Sequence, residues 1–420
     1  MAAIRGLFAD TAPLANPHFR RLWQANIITV IGAQLTVVAV PAQLYAITGD
    51  SGYVGLTGVF GLVPLVVFGL WGGALADHFD RRILLLVTTV GLIATSGLFW
   101  IQATLNLNNV WLMLGVFSLQ QAFFAVNQPT RSAVLPRLLP AAQLPAANAL
   151  NMTVMMAGAI VGPMIGGVLI PVLGYSWLYL VDTVTLLATF AAVWRLPALA
   201  MENRVGAPGL RSVIDGLAYL RLHPVLLTSF VLDLIAMIFG MPRALFPQIA
   251  HESFGGSVEG GTQFAVLMAA MPVGAVLGGV FSGWISRVRR QGRAVVISIA
   301  AWGAAIVAVG VAVGFAPLWS LPMLVAACVF LMLGGAADMA SAAFRQAMLL
   351  SAADDAVRGR LQGVFIVVVA GGPRIADTVH GYAAGAFGTA WTTGGGGLLV
   401  IVLTALVAFL VPAFWRYRSG

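Results

Sequence analysis

The chain has 420 residues, of which 60% are hydrophobic and 9% are charged. This composition excludes an ordinary soluble domain, in which about half of the residues are apolar and about a quarter are charged. The formal net charge is +8. In so apolar a chain, basic residues set the membrane topology and contact anionic lipids, so this charge requires no nucleic-acid partner.

Apolar runs follow one another along the whole chain, and each is long enough for a transmembrane helix of about 20 residues. Helices satisfy their own backbone hydrogen bonds in lipid, so the predicted fold class is an all-α integral membrane protein with twelve transmembrane helices. We number the runs as spans 1 to 12, and they lie near residues 22–46, 54–76, 83–103, 110–129, 148–173, 175–196, 225–247, 262–285, 294–316, 322–344, 361–387 and 395–414.

The positions of the arginines predict the orientation of these spans. All 22 basic residues are arginine, and nearly all of them fall in the segments that twelve spans would leave on one side. Arg20 and Arg21 before span 1, and Arg416 and Arg418 after span 12, predict that both termini are cytoplasmic, because cytoplasmic segments are enriched in basic residues.

The turn between spans 2 and 3 carries the sequence GALADHFDRR from Gly73 to Arg82. Glycine at its start allows close approach of two backbones, and Asp77 places a carboxylate at a helix end. Arg81 and Arg82 predict that this turn faces the cytoplasm.

Matching residues recur in the two halves of the chain. Gly162 and Pro163 in span 5 recur as Gly372 and Pro373 in span 11, and Arg131 recurs as Arg345. Such a parallel repeat predicts two six-span halves with a binding site between them near the membrane midplane. The predicted division is residues 1–196, a cytoplasmic linker at 197–224, and residues 225–420.

Span 5 contains a run of small residues with a proline in its middle. Small residues four positions apart make a smooth helix face that packs closely against a neighbour, and proline bends the helix. The residues of this GxxxGPxxGG pattern are Gly158, Gly162, Pro163, Gly166 and Gly167.

The turn after span 2 and the pattern in span 5 together resemble the major facilitator superfamily. The turn is similar to the signature loop between its second and third helices, and the span 5 pattern is similar to the signature of its antiporters. Asn16 to Arg20, Val38 to Gln43, Arg243 to Pro247 and Arg358 to Gly363 resemble segments of the branch that includes the enterobactin exporter and drug:proton antiporters. At the position of Asp80 most of the superfamily has glycine, whereas that branch has an acid.

The resemblance implies a monomeric, proton-coupled antiporter in the bacterial inner membrane that exports a small amphiphilic organic compound. A siderophore is the first expectation for the substrate, multidrug or macrolide efflux is the alternative, and a lipid or lysolipid flippase on the same fold is a further one. The resemblance also implies that Asp77 engages Arg131 and the start of span 11 when the cytoplasmic side is closed.

Polar residues inside the spans are candidates for the transport mechanism, because intramembrane charges are costly and are functional by default. Arg374 lies one turn from Asp377 and favours its charged form, whereas no basic residue lies within a turn of Asp233. Asp233 is therefore the first candidate proton carrier and Asp338 the second. Candidates for substrate binding or a relay are Arg374, Asp377, His380, Arg243, Asn26, Gln34, Gln121 and Gln128.

Other classes of protein fit the sequence less well. A membrane enzyme would need a nucleophile, base or metal constellation, and the chain has neither an HExxH nor a GxSxG motif. A channel is disfavoured because the sequence lacks a ring of like charges or a filter motif. Cys328 is the only cysteine, and we expect neither a cofactor nor a metal. Asp182 in span 6 is predicted to be a hydrogen-bonding partner in helix packing.

Overall fold

The computed structural model describes residues 10–197, 218–352 and 355–418, and the side chains of these residues outside 70–78 and 350–367. The described chain is helical, as the composition predicts. Its long helices are Pro17–Thr48, Ser51–His78, Arg81–Thr104, Val110–Leu138, Leu144–Trp194, Pro224–Gly240, Thr262–Val280, Gln291–Phe315, Ser320–Ala352 and Asp355–Leu410.

Ten helices within the described ranges are long and apolar enough to cross a membrane. Two of them, Leu144–Trp194 and Asp355–Leu410, each contain two predicted spans and are interrupted by one glycine with positive φ. Gly174 has φ 75° between spans 5 and 6, and Gly388 has φ 76° between spans 11 and 12. Glycine adopts this conformation at little cost because it has no Cβ. The twelve predicted spans therefore correspond to these ten helices, and the same connection occurs in both halves of the chain.

The described residues fall into two compact units. The first contains the described residues up to Val40 and those from Val63 to 197, and the second contains Pro41–Leu62 and the residues from 218 onwards. The hairpin from Pro41 to Leu62, which is the end of span 1 and the start of span 2, is thus part of the second unit. Most of the predicted linker lies outside the described residues, and the division into two six-span halves stays a prediction.

Each unit has its own packed interior. A cluster in the first unit joins spans 1, 3, 4 and 6 through Leu22, Leu85, Val134 and Val193. In the second unit, the buried side chain of Trp302 in span 9 donates a hydrogen bond from Nε1 to the carbonyl oxygen of Gly240, at 3.1 Å. This bond satisfies a backbone carbonyl that the end of a helix would otherwise leave without a partner.

Two of the predicted boundaries that differ from the structure concern the candidate site. Span 7 does not continue to residue 247, because its helix ends at Gly240 and is followed by a 3₁₀ turn, Arg243–Leu245, and a π-helical turn, Ile249–Ser253. Pro242 accounts for the break, since proline has no N–H to continue the ladder of hydrogen bonds. Span 10 does not end at residue 344, and its helix continues to Ala352. Arg345 is therefore a residue of this helix rather than of a loop.

Candidate functional site

The predicted cytoplasmic turn is held by hydrogen bonds from its two arginines. Asp80 caps the next helix by accepting a hydrogen bond from the backbone N–H of Arg82 at 2.7 Å, which gives a structural reason for an acid at this position. Arg81 donates to the carbonyl oxygen of Ala133 at 2.8 Å, and Arg82 donates to that of Trp194 at 2.6 Å. These bonds join the start of span 3 to spans 4 and 6.

The other residues of the predicted gating loop are Gly73, Asp77 and Arg131. Gly73 lies in the helix Ser51–His78, and the side chain of Asp77 lies outside the described ones. Arg131 in span 4 donates a hydrogen bond to the carbonyl oxygen of Leu22 in span 1, at 3.3 Å. The contact of Asp77 with Arg131 and span 11 stays a prediction.

The small-residue face of span 5 packs directly against span 1. A Cβ atom added at Gly158 would lie 2.2 Å from Val30 Cγ1, and one added at Gly162 would lie 2.2 Å from Gln34 Cβ. At Gly166 the nearest atom, a methyl carbon of Leu35, would be 3.3 Å away. Gly158 and Gly162 therefore have no room for a side chain at this helix contact. Pro163 and Gly167 are buried in the same segment.

Asp182 in span 6 joins three helices of the first unit. Its Oδ2 accepts hydrogen bonds from the hydroxyl groups of Thr36 in span 1, at 2.7 Å, and Ser96 in span 3, at 2.6 Å. The Nε2 atom of Gln120 in span 4 in turn donates to the Ser96 hydroxyl oxygen at 3.2 Å. Asp182 is 2% exposed, and these bonds agree with its predicted packing role.

We expect Asp182→Ala to destabilise the protein by about 1–3 kcal/mol, because two buried hydroxyl groups lose their acceptor. Asp182→Asn keeps a carbonyl acceptor and should destabilise the protein less than Asp182→Ala does. Thermal unfolding of the purified protein measures both effects, and transport per molecule should stay near normal. A variant of normal stability that has lost pH-dependent transport would instead identify Asp182 as a proton site.

Asp233 in span 7 forms a buried ion pair with Arg345 in span 10. The side chain of Asp233 is 1% exposed and that of Arg345 is 5% exposed. The prediction that Asp233 lacks a basic partner is therefore wrong, because the partner comes from another helix of the second unit. Such a pair is stable in a low-dielectric interior only while both charges remain together.

The other predicted polar residues are spread over several helices. Asp338 in span 10 is partly buried and makes no hydrogen bond or ion pair with any described residue. Asn26 in span 1 is buried, whereas Gln34 packs against Gly162. Gln121 and Gln128 are partly buried in span 4.

The break in span 7 places Arg243 beside span 11. The Nη2 atom of Arg243 donates to Oδ2 of Asp377 at 2.8 Å. Arg374, one turn before Asp377, is close enough to interact electrostatically with both groups. His380 is 2% exposed and lies beside the backbone of Ile238 and Phe239 in the last turn before the break. The structure thus brings together four predicted residues: Arg243, Arg374, Asp377 and His380.

The hairpin from Pro41 to Leu62 packs against this part of span 11, and the two backbones are in direct contact. A Cβ atom at Gly58 would lie 2.0 Å from the carbonyl oxygen of Arg374, and one at Gly55 would lie 2.7 Å from that of Asp377. Thr378 donates a hydrogen bond to the carbonyl oxygen of Gly55 at 3.0 Å. Sequence reasoning missed these contacts, although Gly55 and Gly58 in an apolar run are typical of close helix packing.

Comparisons with known proteins agree with this architecture. A model of the family described as "Transmembrane secretion effector" matches residues 8–416. The enterobactin exporters EntS of Shigella boydii serotype 18 and Escherichia coli O127:H6 are each 26% identical to the chain over 408 residues, which cover 96% of this chain and 94% of each relative.

Solved structures of other transporters share the fold. The nucleoside transporter NupG has a TM-score of 0.71 and 14% identity, with 96% of this chain and 100% of that chain covered. A D-xylose–proton symporter has a TM-score of 0.68 and 12% identity at the same coverage. The predicted superfamily, the all-helical membrane fold and the absence of an enzymatic role are thereby confirmed. The chain belongs to the transmembrane secretion effector family of the major facilitator superfamily and is a multi-pass secondary transporter of small molecules.

Proposed function

We propose that this transporter is a proton-coupled antiporter in the bacterial inner membrane, with both termini in the cytoplasm, and that it exports a siderophore or a related amphiphilic compound. The similarity to enterobactin exporters over 96% of the chain supports the substrate class. The concentration of arginine in the segments on one side of the twelve predicted spans supports the orientation. In this proposal the transporter acts as a monomer, surrounded by membrane lipids.

The observation that carries the proton coupling is the buried ion pair between Asp233 and Arg345. Asp233 stays the first candidate, although the absence of a basic partner that first favoured it does not hold: a proton that binds its carboxylate has to displace Arg345. Removing one partner of such a pair costs about 3–5 kcal/mol, because the other charge is left buried alone. Protonation of Asp233 therefore favours a conformation in which Arg345 has another partner or reaches water. A proton taken up in one conformation and released in the other couples proton flow to the transport cycle.

The substrate class is tested in cells. In an iron-starved strain that lacks the gene, siderophore should accumulate inside the cells, and a plasmid copy should restore its release. Susceptibility to macrolides and other amphiphilic drugs is measured in parallel. Normal siderophore release together with increased drug susceptibility would replace the siderophore by drugs as the substrate, and a change only in lipid distribution between leaflets would indicate a flippase.

Asp77 is proposed to stabilise the state in which the cytoplasmic side is closed. We expect Asp77→Asn to lower the transport rate by about tenfold while membrane abundance stays near normal, because losing a favourable charge contact shifts a population and does not unfold the protein. Transport by reconstituted protein at matched protein content is the measurement. A transport rate equal to that of the wild type would remove Asp77 from the gating contact.

A further inference from the structure

The cluster formed by Arg243, Arg374 and Asp377 carries more positive than negative charge. It contains two guanidinium groups and one carboxylate within predicted spans. Glu252, the acid that follows the break in span 7, is already engaged, because its carboxylate accepts hydrogen bonds from Tyr45 at 2.9 Å and from Gln248 at 2.9 and 3.1 Å. An arginine inside a membrane protein is costly, and Arg243, which keeps accessible N–H groups beside Asp377, can lower that cost by binding an anion.

The geometry of Arg243 leaves part of its guanidinium available. Asp377 holds it through Nη2, whereas an arginine side chain has five N–H donors in a planar fork. The side chain of Arg243 is 41% exposed, but that of Asp377 is only 5% exposed. The buried carboxylate therefore orients the guanidinium, and the accessible side can donate to a second acceptor. A planar fork of this kind matches the two oxygens of a carboxylate or a similar oxyanion.

The backbone fixes the position of this guanidinium. Arg243 lies in a 3₁₀ turn directly after a helix break, and Trp302 donates a hydrogen bond to the carbonyl oxygen of Gly240, the last residue of the helix before the break. In transporters, broken helices are typical of sites that bind substrates or ions. Arg243 is thus held in place before any ligand arrives, and preorganisation of this kind lowers the entropic cost of binding.

We propose that Arg243 and Arg374, with Asp377 as the orienting group, bind an oxyanion carried by the transported compound, such as a carboxylate or an ionised catechol. The inference rests on the proposed export function and specifies the substrate class as anionic amphiphiles. Arg243 contacts the anion directly, Arg374 supplies the second positive charge, and Asp377 is a positioning residue.

The test measures binding to purified protein in detergent without a proton gradient. Three probes share one aromatic body and differ in charge: 2-naphthoate, 2-naphthamide and 2-naphthylmethylammonium. The wild type should bind 2-naphthoate at least about tenfold more tightly than the other two, because hydrogen bonds to charged groups are the strongest ones available. Equal affinity for all three probes, or no binding of 2-naphthoate, would overturn the proposal.

Charge variants separate an anion site from an ion pair that only stabilises the fold. Arg243→Gln should weaken 2-naphthoate binding by about tenfold and leave 2-naphthamide binding unchanged, whereas Asp377→Asn should keep or strengthen 2-naphthoate binding. The affinity of the double variant Arg243→Gln/Asp377→Asn for 2-naphthoate should lie between those of the two single variants. Arg293→Gln is the matched control, since Arg293 lies over the ring of Trp415, away from the cluster.

A structural ion pair predicts a different pattern: both single variants bind all probes less well, and the double variant recovers. That result would overturn the anion site. The outcome is independent of proton coupling, because binding is measured without a gradient. Proton-driven export of a neutral compound would still support the proposed function if the anion site failed, and anion selectivity without proton coupling would contradict only the proposed function.

Discussion

Accumulation of substrate driven by a proton gradient is expected to be lost in the Asp233→Asn variant, because asparagine cannot exchange a proton at this position. The same substitution leaves Arg345 buried without its carboxylate, which costs about 3–5 kcal/mol in comparable buried pairs. Lower thermal stability of the single variant is therefore expected. The measurement is uptake into inverted vesicles or proteoliposomes with an imposed pH gradient, at matched protein content.

The double variant Asp233→Asn/Arg345→Gln separates stability from coupling. It removes both charges of the ion pair together, so stability should recover relative to the single variant. Proton-driven accumulation should remain absent, while exchange of labelled for unlabelled substrate without a gradient should continue. Asp182→Asn is a matched control, since it neutralises another buried acid on a different helix. Recovery of accumulation in the double variant would exclude Asp233 as the proton carrier and direct attention to Asp338.

Gly162→Leu is expected to cause the second large loss of transport. A Cβ at this position would already lie 2.2 Å from Gln34 Cβ, and a leucine side chain adds three more carbon atoms to the same contact. Overpacking of this kind costs about 1–3 kcal/mol and displaces the neighbouring helix. We propose that the contact between spans 1 and 5 changes during the cycle, so transport per molecule should fall more than membrane abundance. Both quantities are measured on the same membranes.

Two further variants define this effect. Gly115→Leu introduces the same side chain in span 4 where an added Cβ meets no atom within 4 Å, and it should be tolerated. Gly162→Ala combined with Gln34→Gly removes the clashing Cβ on the opposite helix and should restore part of the transport that Gly162→Ala loses alone. A parallel fall of transport and abundance in Gly162→Leu would instead indicate a contact that only stabilises the fold.

The sequence predicted the long apolar helices well because a membrane span depends on local properties. Hydrophobic length defines a span, and glycine at a sharp connection recurs for a conformational reason. Gly174 and Gly388 show this, since they have nearly the same φ in the two halves. The end of the helix in span 7 at Gly240 was missed, although Gly240 and Pro242 mark such a break.

The partner of Asp233 could not be found by reading along one helix. Arg345 lies on another helix, one residue beyond the predicted end of span 10. The repeat contained a usable signal: Arg345 corresponds to Arg131, and Asp233 corresponds to Asn26. In the first unit Arg131 reaches the backbone of span 1 at Leu22, and in the second unit Arg345 reaches span 7 at Asp233. If the fourth helix of each repeat is assumed to contact the first, the repeat predicts that Arg345 lies near Asp233.

The most direct test of proton coupling through Asp233 is a measurement of proton movement caused by substrate alone. Proteoliposomes that contain a pH-sensitive dye start with equal pH on both sides, and a catecholate siderophore is added outside. Wild-type protein should move protons out of the vesicles as substrate enters, and the Asp233→Asn/Arg345→Gln variant should move substrate without a pH change. Substrate entry without proton movement in the wild type, or an equal pH change in the double variant, would contradict the account.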